Sequence, residues 1–170
     1  GGLYALERGV VRTLHSLSFV EDPTRVLRAA RFAVRFGFSI DPSTEALLAQ
    51  AVEMGMLGEV SGARIREELL DIVDEDGVAD VLERLVAPGA LEVVLPDGAD
   101  TGRVLEDVRA CEAAYREIAT AFVPQPRRRT TLITAMAASA GRSAAEKWCR
   151  WLRFGREYAE PAVTTAERAA

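Results

Sequence analysis

Histidine, cysteine and lysine are almost missing from this 170-residue chain, which holds one His, two Cys and a single Lys. The lone histidine, His15, excludes a metal site built on several imidazoles. Cys111 and Cys149 stand far apart without Cys-x-x-Cys spacing, which excludes a zinc ribbon and a disulfide framework. Both are expected as reduced thiols inside a cytoplasmic protein. No apolar run approaches the roughly 18 residues that cross a bilayer, so no membrane partner is expected. The chain opens Gly-Gly-Leu-Tyr, with neither an initiator Met nor a basic-then-apolar leader, and reads as an excised fragment rather than a signal peptide or a natural start. Sustained period-two alternation, internal repeats and low-complexity tracts are also missing. The expected class is therefore all-α, a bundle or array of about seven to eight helices.

What is present is an ordinary 49% hydrophobic content and a charge distribution that the net value of −5 conceals. Residues 1–38 carry six Arg against three acids, residues 39–120 six Arg against nineteen acids, and residues 121–170 nine Lys or Arg against four acids. Basic ends flanking an acidic middle place RNA or triphosphate near the ends. Twenty of the twenty-one cations are Arg, which suits phosphate recognition but is also what a GC-rich genome produces.

The densest chemistry lies in Ser18 to Phe38, SFVEDPTRVLRAARFAVRFGF. Asp22 suits an N-cap, Pro23 the first helical position and Gly37 a stop, which predicts a helix from about Pro23 to Phe36. Val26, Leu27, Ala30, Ala33 and Val34 recur as a buried stripe, flanked by Arg25, Arg28, Arg31 and Arg35 at steps of three or four. Asp22 and Arg25, three apart, can offer one acceptor and one donor fork to the same space. Cytosine and adenine carry an exocyclic amine beside a ring-nitrogen acceptor, the complement of that pair. A plain cap with a salt bridge is the competing reading. Asp41-Pro42 is a second Asp-Pro helix start with no arginine fork behind it.

Further helices are expected at about Pro42 to Met54, from Ser61 to about Asp74, from Val78 to Ala87 and from Thr101 to Ala121. The last is broken by Val123 to Pro126. The third carries the stripe Ile65, Leu69, Ile72 and Val73. The fifth repeats Val104, Leu105, Val108, Cys111, Tyr115, Ile118 and Phe122. Asp74-Glu75-Asp76-Gly77 can be read as a metal-binding pair of carboxylates or as an acidic helix end and turn. Ala90 to Pro96 reads as a turn or short helical step, and Pro96 to Gly102 as a linker. Arg127, Arg128 and Arg129 open a helix against its dipole, suiting either a phosphate contact or a solvated turn. Lys147, Trp148, Arg150, Trp151, Arg153, Phe154 and Arg156 interleave aromatics with cations, a pattern shared by RNA-stacking surfaces and by tryptophans in a core.

Gly1-Gly2-Leu3, Gly9, Arg12, His15, the Ser18 to Phe38 segment and ARIREELLDI at Ala63 to Ile72 together resemble the class II tRNA nucleotidyltransferase and bacterial poly(A) polymerase family. The resemblance covers roughly residues 1 to 75 well and fades after Pro96. It implies a fold like the poly(A) polymerase C-terminal region: the end of a head-to-neck connector at 1–20, a base-reading neck at 21–96 and body helices at 97–170. Glu21, Asp22 and Arg25 match the nucleotide-templating motif, in which Asp and Arg bond the base and Glu orients the arginine. Arg28 would flank the nucleotide, Arg64 and Glu68 would support the templating helix, and Arg12 matches the region joining head to neck. The implied reaction adds C or A from CTP or ATP to the 3′ end of tRNA or other RNA. Its Mg2+ is held by an N-terminal catalytic head of the same polypeptide, a part this sequence does not contain, so the fragment is expected to have no catalytic or metal-binding residues and to be inactive. The alternative is a standalone helical RNA-binding or protein-interaction module.

Overall fold

The computed structural model describes residues 7–118 and 127–169. Gly1 to Leu3, Phe122 and the expected break at Val123 to Pro126 lie outside the described residues.

Ten helices occur among the described residues, eight of them of seven residues or more. They are α1 Ser18–Glu21, α2 Arg25–Phe36, α3 Pro42–Glu53, α4 Gly62–Val73, α5 Val78–Arg84, α6 Ala90–Val94, α7 Thr101–Ile118, α8 Arg128–Ala137, α9 Arg142–Trp151 and α10 Arg156–Ala169. A 3-10 turn at Met56–Glu59 joins α3 to α4. The all-helical expectation holds, with one small addition. Val10–Val11 (β1) pairs in parallel with Ser39–Ile40 (β2), a two-residue ladder too short to leave a period-two trace.

Local signals account directly for two helix ends. Asp41 caps α3 by accepting the Ser43 N–H at 3.1 Å. Gly37 ends α2 at φ +65°, with Phe38 N–H bonded to Ala33 O and Gly37 N–H to Val34 O, the Schellman closure that favours glycine. α2 itself starts two residues later than expected. Asp22 bonds the Thr24 N–H at 3.3 Å and the Thr24 hydroxyl at 2.7 Å, so Asp22 to Thr24 form a side-chain-closed turn ahead of the helix. The helix expected to reach Ala87 stops at Arg84, because Ala90 and Leu91 N–H both bond Leu85 O and fold the chain into α6.

The core is a single cluster running from Phe19 to Ala166, on both sides of Pro96 to Gly102. Helix α2 leans on α5, α5 on α7, α7 on α8, and α8 on α10, with α9 against α10. Ile65, Leu69, Ile72 and Val73, the expected stripe of α4, are all fully buried. At the start of α4, Gly62 meets the end of α9 so closely that a Cβ there would lie 1.9 Å from the Trp151 carbonyl oxygen. The Arg66 guanidinium donates to the Arg153 carbonyl 3.1 Å away. The exposed carbonyls at the end of one helix are thus covered by the start of another.

Candidate functional site: an acid-base fork at the start of two parallel helices

Helices α2 and α4 run in the same direction, because their charged side chains pair at rising positions in both. Arg28 bonds Glu68 at 3.4 Å, Arg31 bonds Asp71 at 2.9 Å, and Arg35 bonds Glu75 at 3.3 Å, each pair forty residues apart. At the N-terminal end the polarity reverses, and Arg64 donates to Asp22 Oδ1 at 2.8 Å. The reversal leaves a carboxylate, rather than an arginine, on the α2 side of that end.

Asp22 and Arg25 stand together there, with Arg25 Nε 3.8 Å from Asp22 Oδ2. Both remain reachable, their side chains 29% and 42% exposed. Burial opposes ionisation of Asp22, but the Thr24 hydroxyl and the Arg64 guanidinium outweigh it and hold the carboxyl below its ordinary value. Arg25 is held from behind by Ser18. Its NH1 donates to the Ser18 hydroxyl at 2.8 Å and to the Ser18 carbonyl at 3.1 Å. That carbonyl also accepts the Asp22 N–H, so one buried serine ties both halves of the fork. The pair presents a charged acceptor beside a donor fork.

The other expected residues fall around it. Glu21 faces His15, with Oε2 3.6 Å from Nε2, and adjoins Asp22 in the chain. Arg28 is one turn along, exposed on its outer side and stacked toward the Phe32 ring at 5.6 Å. Arg64 touches Asp22 directly, and Glu68 backs Arg28 and Arg31. Burial pushes the Glu68 carboxyl up, and the two arginines offset this only in part. Arg12 lies elsewhere, 3.8 Å from Asp41 beside the short strand pair.

Two expectations about arginines change. Arg31 is no flank: it is 6% exposed, packed on the Phe32 ring at 4.7 Å and surrounded by Glu68, Asp71 and Glu75. Of Arg127, Arg128 and Arg129, the last two turn to the end of α4, while Arg127 stays 77% exposed. Arg128 donates to the carbonyls of Val73 and Glu75 at the end of α4, Arg129 pairs with Asp74, and Arg127 with Glu157. Helix C-termini attract cations in this way. Asp74 and Glu75 are accordingly an acidic helix end and turn, one of the two readings left open. Among the described residues no group of three or more His, Cys, Asp or Glu could hold a metal ion. No helix among them is long and apolar enough to cross a membrane.

Ser18 and Thr24 were not visible as functional in the sequence. The one trace is spacing, since Ser18 lies seven residues, about two helical turns, before Arg25.

Residues 37–101 match the family model described as the probable RNA and SrmB-binding site of polymerase A. An A-adding tRNA nucleotidyltransferase of Geobacter sulfurreducens is 41% identical over 112 residues, covering 64% of this chain and 13% of the relative. A multifunctional CCA protein of Neisseria gonorrhoeae is 41% identical over 97 residues, covering 57% and 23%. A solved tRNA nucleotidyltransferase complexed with a primer tRNA and an incoming ATP analog superimposes with a TM-score of 0.81 at 30% identity, over 95% of this chain and 48% of that one. The chain thus spans less than half the length of these relatives. In sequence and in fold the chain is similar to part of the A-adding and CCA-adding tRNA nucleotidyltransferases.

Proposed function

We propose that this chain selects the base of the incoming nucleotide in an enzyme that adds C, A or both to RNA 3′ ends without a template. The observation that carries the reading is the Asp22 and Arg25 fork, held open to solvent by Ser18, Thr24 and Arg64. The exocyclic amine of cytosine or adenine donates to the carboxylate, and the adjacent ring nitrogen accepts from the guanidinium. Uracil and guanine reverse that order and meet donor with donor. Arg28 flanks the nucleotide, Arg64 and Glu68 brace the fork, and Glu21 lies at its edge. Residues 21–96 act as neck and 97–170 as body, with 1–20, including Arg12, leading in from a catalytic head.

ATP and CTP are the substrates, and tRNA or another RNA 3′ end is the acceptor, in the cytoplasm. Mg2+ belongs to the carboxylates of that head. Among the described residues no group of three or more His, Cys, Asp or Glu could hold it. The 170 residues alone should show no nucleotidyl transfer. Joined to a catalytic head, Asp22→Ala or Arg25→Ala should relax base choice and depress turnover. Unchanged selection among the four nucleotides would overturn the fork, and measurable CMP or AMP incorporation by the isolated chain would overturn its inactivity.

A further inference from the structure

The uneven charge of the sequence is largely cancelled in three dimensions, since arginines of both basic ends pair with the acidic middle through Glu68, Asp71, Asp74 and Glu75. One group escapes. Lys147, Arg150, Arg153 and Arg156 are all exposed, spaced by three, and have no carboxylate partner among the described residues. They run along α9, round its C-terminal turn and into the start of α10. Four unneutralised cations within ten residues keep a positive potential that suits a polyanion.

Two further observations single out this strip. Arg153 has φ +54°, the one non-glycine residue with positive φ among those described. It fills the place after α9 where glycine is normally favoured, with Arg153 N–H on Arg150 O and Phe154 N–H on Cys149 O. The chain thus carries a cation where the backbone favours the residue without a side chain. Beside it the two tryptophans divide. Trp148 is buried, its Nε1 donating to Val94 O at 2.8 Å, whereas Trp151 is 36% exposed. Trp151 and Lys147, one turn apart, line a cleft of about 280 Å³ against Gly58, Leu95 and Pro96, which belong to the segment matching the RNA-binding family model. Asp97 also lines this cleft, so phosphates are expected on its Lys147 side.

We infer that Lys147, Arg150, Arg153 and Arg156 track an RNA phosphate backbone while Trp151 stacks on one of its bases. This second contact uses none of the fork's residues. The inference rests on the RNA-extending reading above, but its test is independent of base choice. Labelled tRNA is titrated with the 170-residue chain by fluorescence anisotropy, from about 50 to about 200 mM salt.

Replacing Arg150 and Arg156 by Ala and Arg153 by Gly should flatten the slope of log affinity against log salt by about 2 to 3 and weaken binding tenfold or more. Trp151→Ala should weaken binding roughly tenfold with the slope retained. Arg153→Gly suits the positive φ, so this variant should keep or raise its melting temperature while losing affinity, which separates recognition from folding. Arg84→Ala and Arg168→Ala, at exposed cations outside the strip, should change nothing. A strip variant with wild-type affinity and slope overturns the proposal, as does a wild-type chain that ignores tRNA at the low-salt end. Unchanged tRNA binding with loss of a polypeptide ligand would assign the strip to protein and overturn it too. In each case selection by Asp22 and Arg25 in the head-bearing enzyme can still succeed or fail by itself.

Discussion

Arg64 reaches across from the first turn of α4 to place a guanidinium nitrogen 2.8 Å from Asp22 Oδ1, joining the fork carboxylate to a helix that begins forty residues later. This contact, with the Thr24 hydroxyl, keeps the Asp22 carboxyl below the 3.8 of an unperturbed aspartate. The stability it contributes is complete above 3.8 and is lost as the pH falls through the lower folded value. Arg64→Ala should move the Asp22 carboxyl back upward in an NMR titration and flatten the acid limb of the stability curve. An unmoved Asp22 titration would show that Arg64 is incidental to the fork.

Arg31 is the buried centre of the ladder between α2 and α4, its side chain 7% exposed among three carboxylates. Arg31→Ala leaves Glu68 buried with reduced compensation and should cost about 3 to 5 kcal/mol in denaturant unfolding. The double replacement Arg31→Met with Glu68→Leu should recover much of that loss, because a packed apolar pair removes both desolvation penalties. A single-variant loss below about 1 kcal/mol would mean the network contributes little.

Glu112 caps a helix that is remote in sequence. Its two carboxylate oxygens accept the N–H groups of Val78, at 2.8 Å, and Ala79, at 3.1 Å, at the buried start of α5. Glu112→Ala strands both donors and should cost about 2 to 3 kcal/mol by chemical denaturation. Glu112→Gln, which keeps one oxygen, should lose less. Equal losses in the two variants would contradict the capping role.

Gly62 permits the close approach of α4 to the end of α9. Gly62→Ala should lower the melting temperature by about 4 °C or more, since overpacking typically costs 1 to 3 kcal/mol and the obstacle is a backbone carbonyl. Gly58→Ala meets nothing within 4 Å and serves as the control, with no loss expected. Identical melting of the two variants would place the contact outside the stability of the fold.

The two thiols should differ in reactivity. Burial pushes Cys149 up to about 11, and burial followed by the charges of Asp107 and Glu112 raises Cys111 as well. At neutral pH a thiol-specific reagent should therefore label the half-buried Cys111 slowly and Cys149 only on unfolding. Rapid labelling of Cys149 in the native chain would show that α9 opens readily.

Signals confined to a few neighbouring residues were legible in the sequence. Asp41-Pro42 and Gly37 fix their helix ends through bonds no more than five residues long, and the stripe of α4 is buried as its spacing requires. Asp22 and Arg25 could be placed side by side for the same reason. What could not be read depends on partners far along the chain. Periodicity sets Arg31 beside the core without deciding whether water or carboxylates will face it, and the deciding residues lie thirty-seven to forty-four positions away. Arg128 and Arg129 serve a helix end fifty-odd residues earlier. Glu112 follows Val104 and Val108 at steps of four, on the buried face by spacing, but its charge keeps it out of a hydropathy stripe. Its burial as a carboxylate follows from the docking of α7 on α5.

The constant offset of forty residues along the α2 and α4 ladder limits how length can vary in this protein. Inserting one residue within either helix turns everything beyond it by about 100°, so every later rung is missed together. The stretch between the helices can lengthen or shorten while leaving each rung opposite its partner. Relatives that differ in length across this region should therefore carry the difference between Gly37 and Ser61, while the spacing from Asp22 to Arg35 and from Arg64 to Glu75 stays fixed.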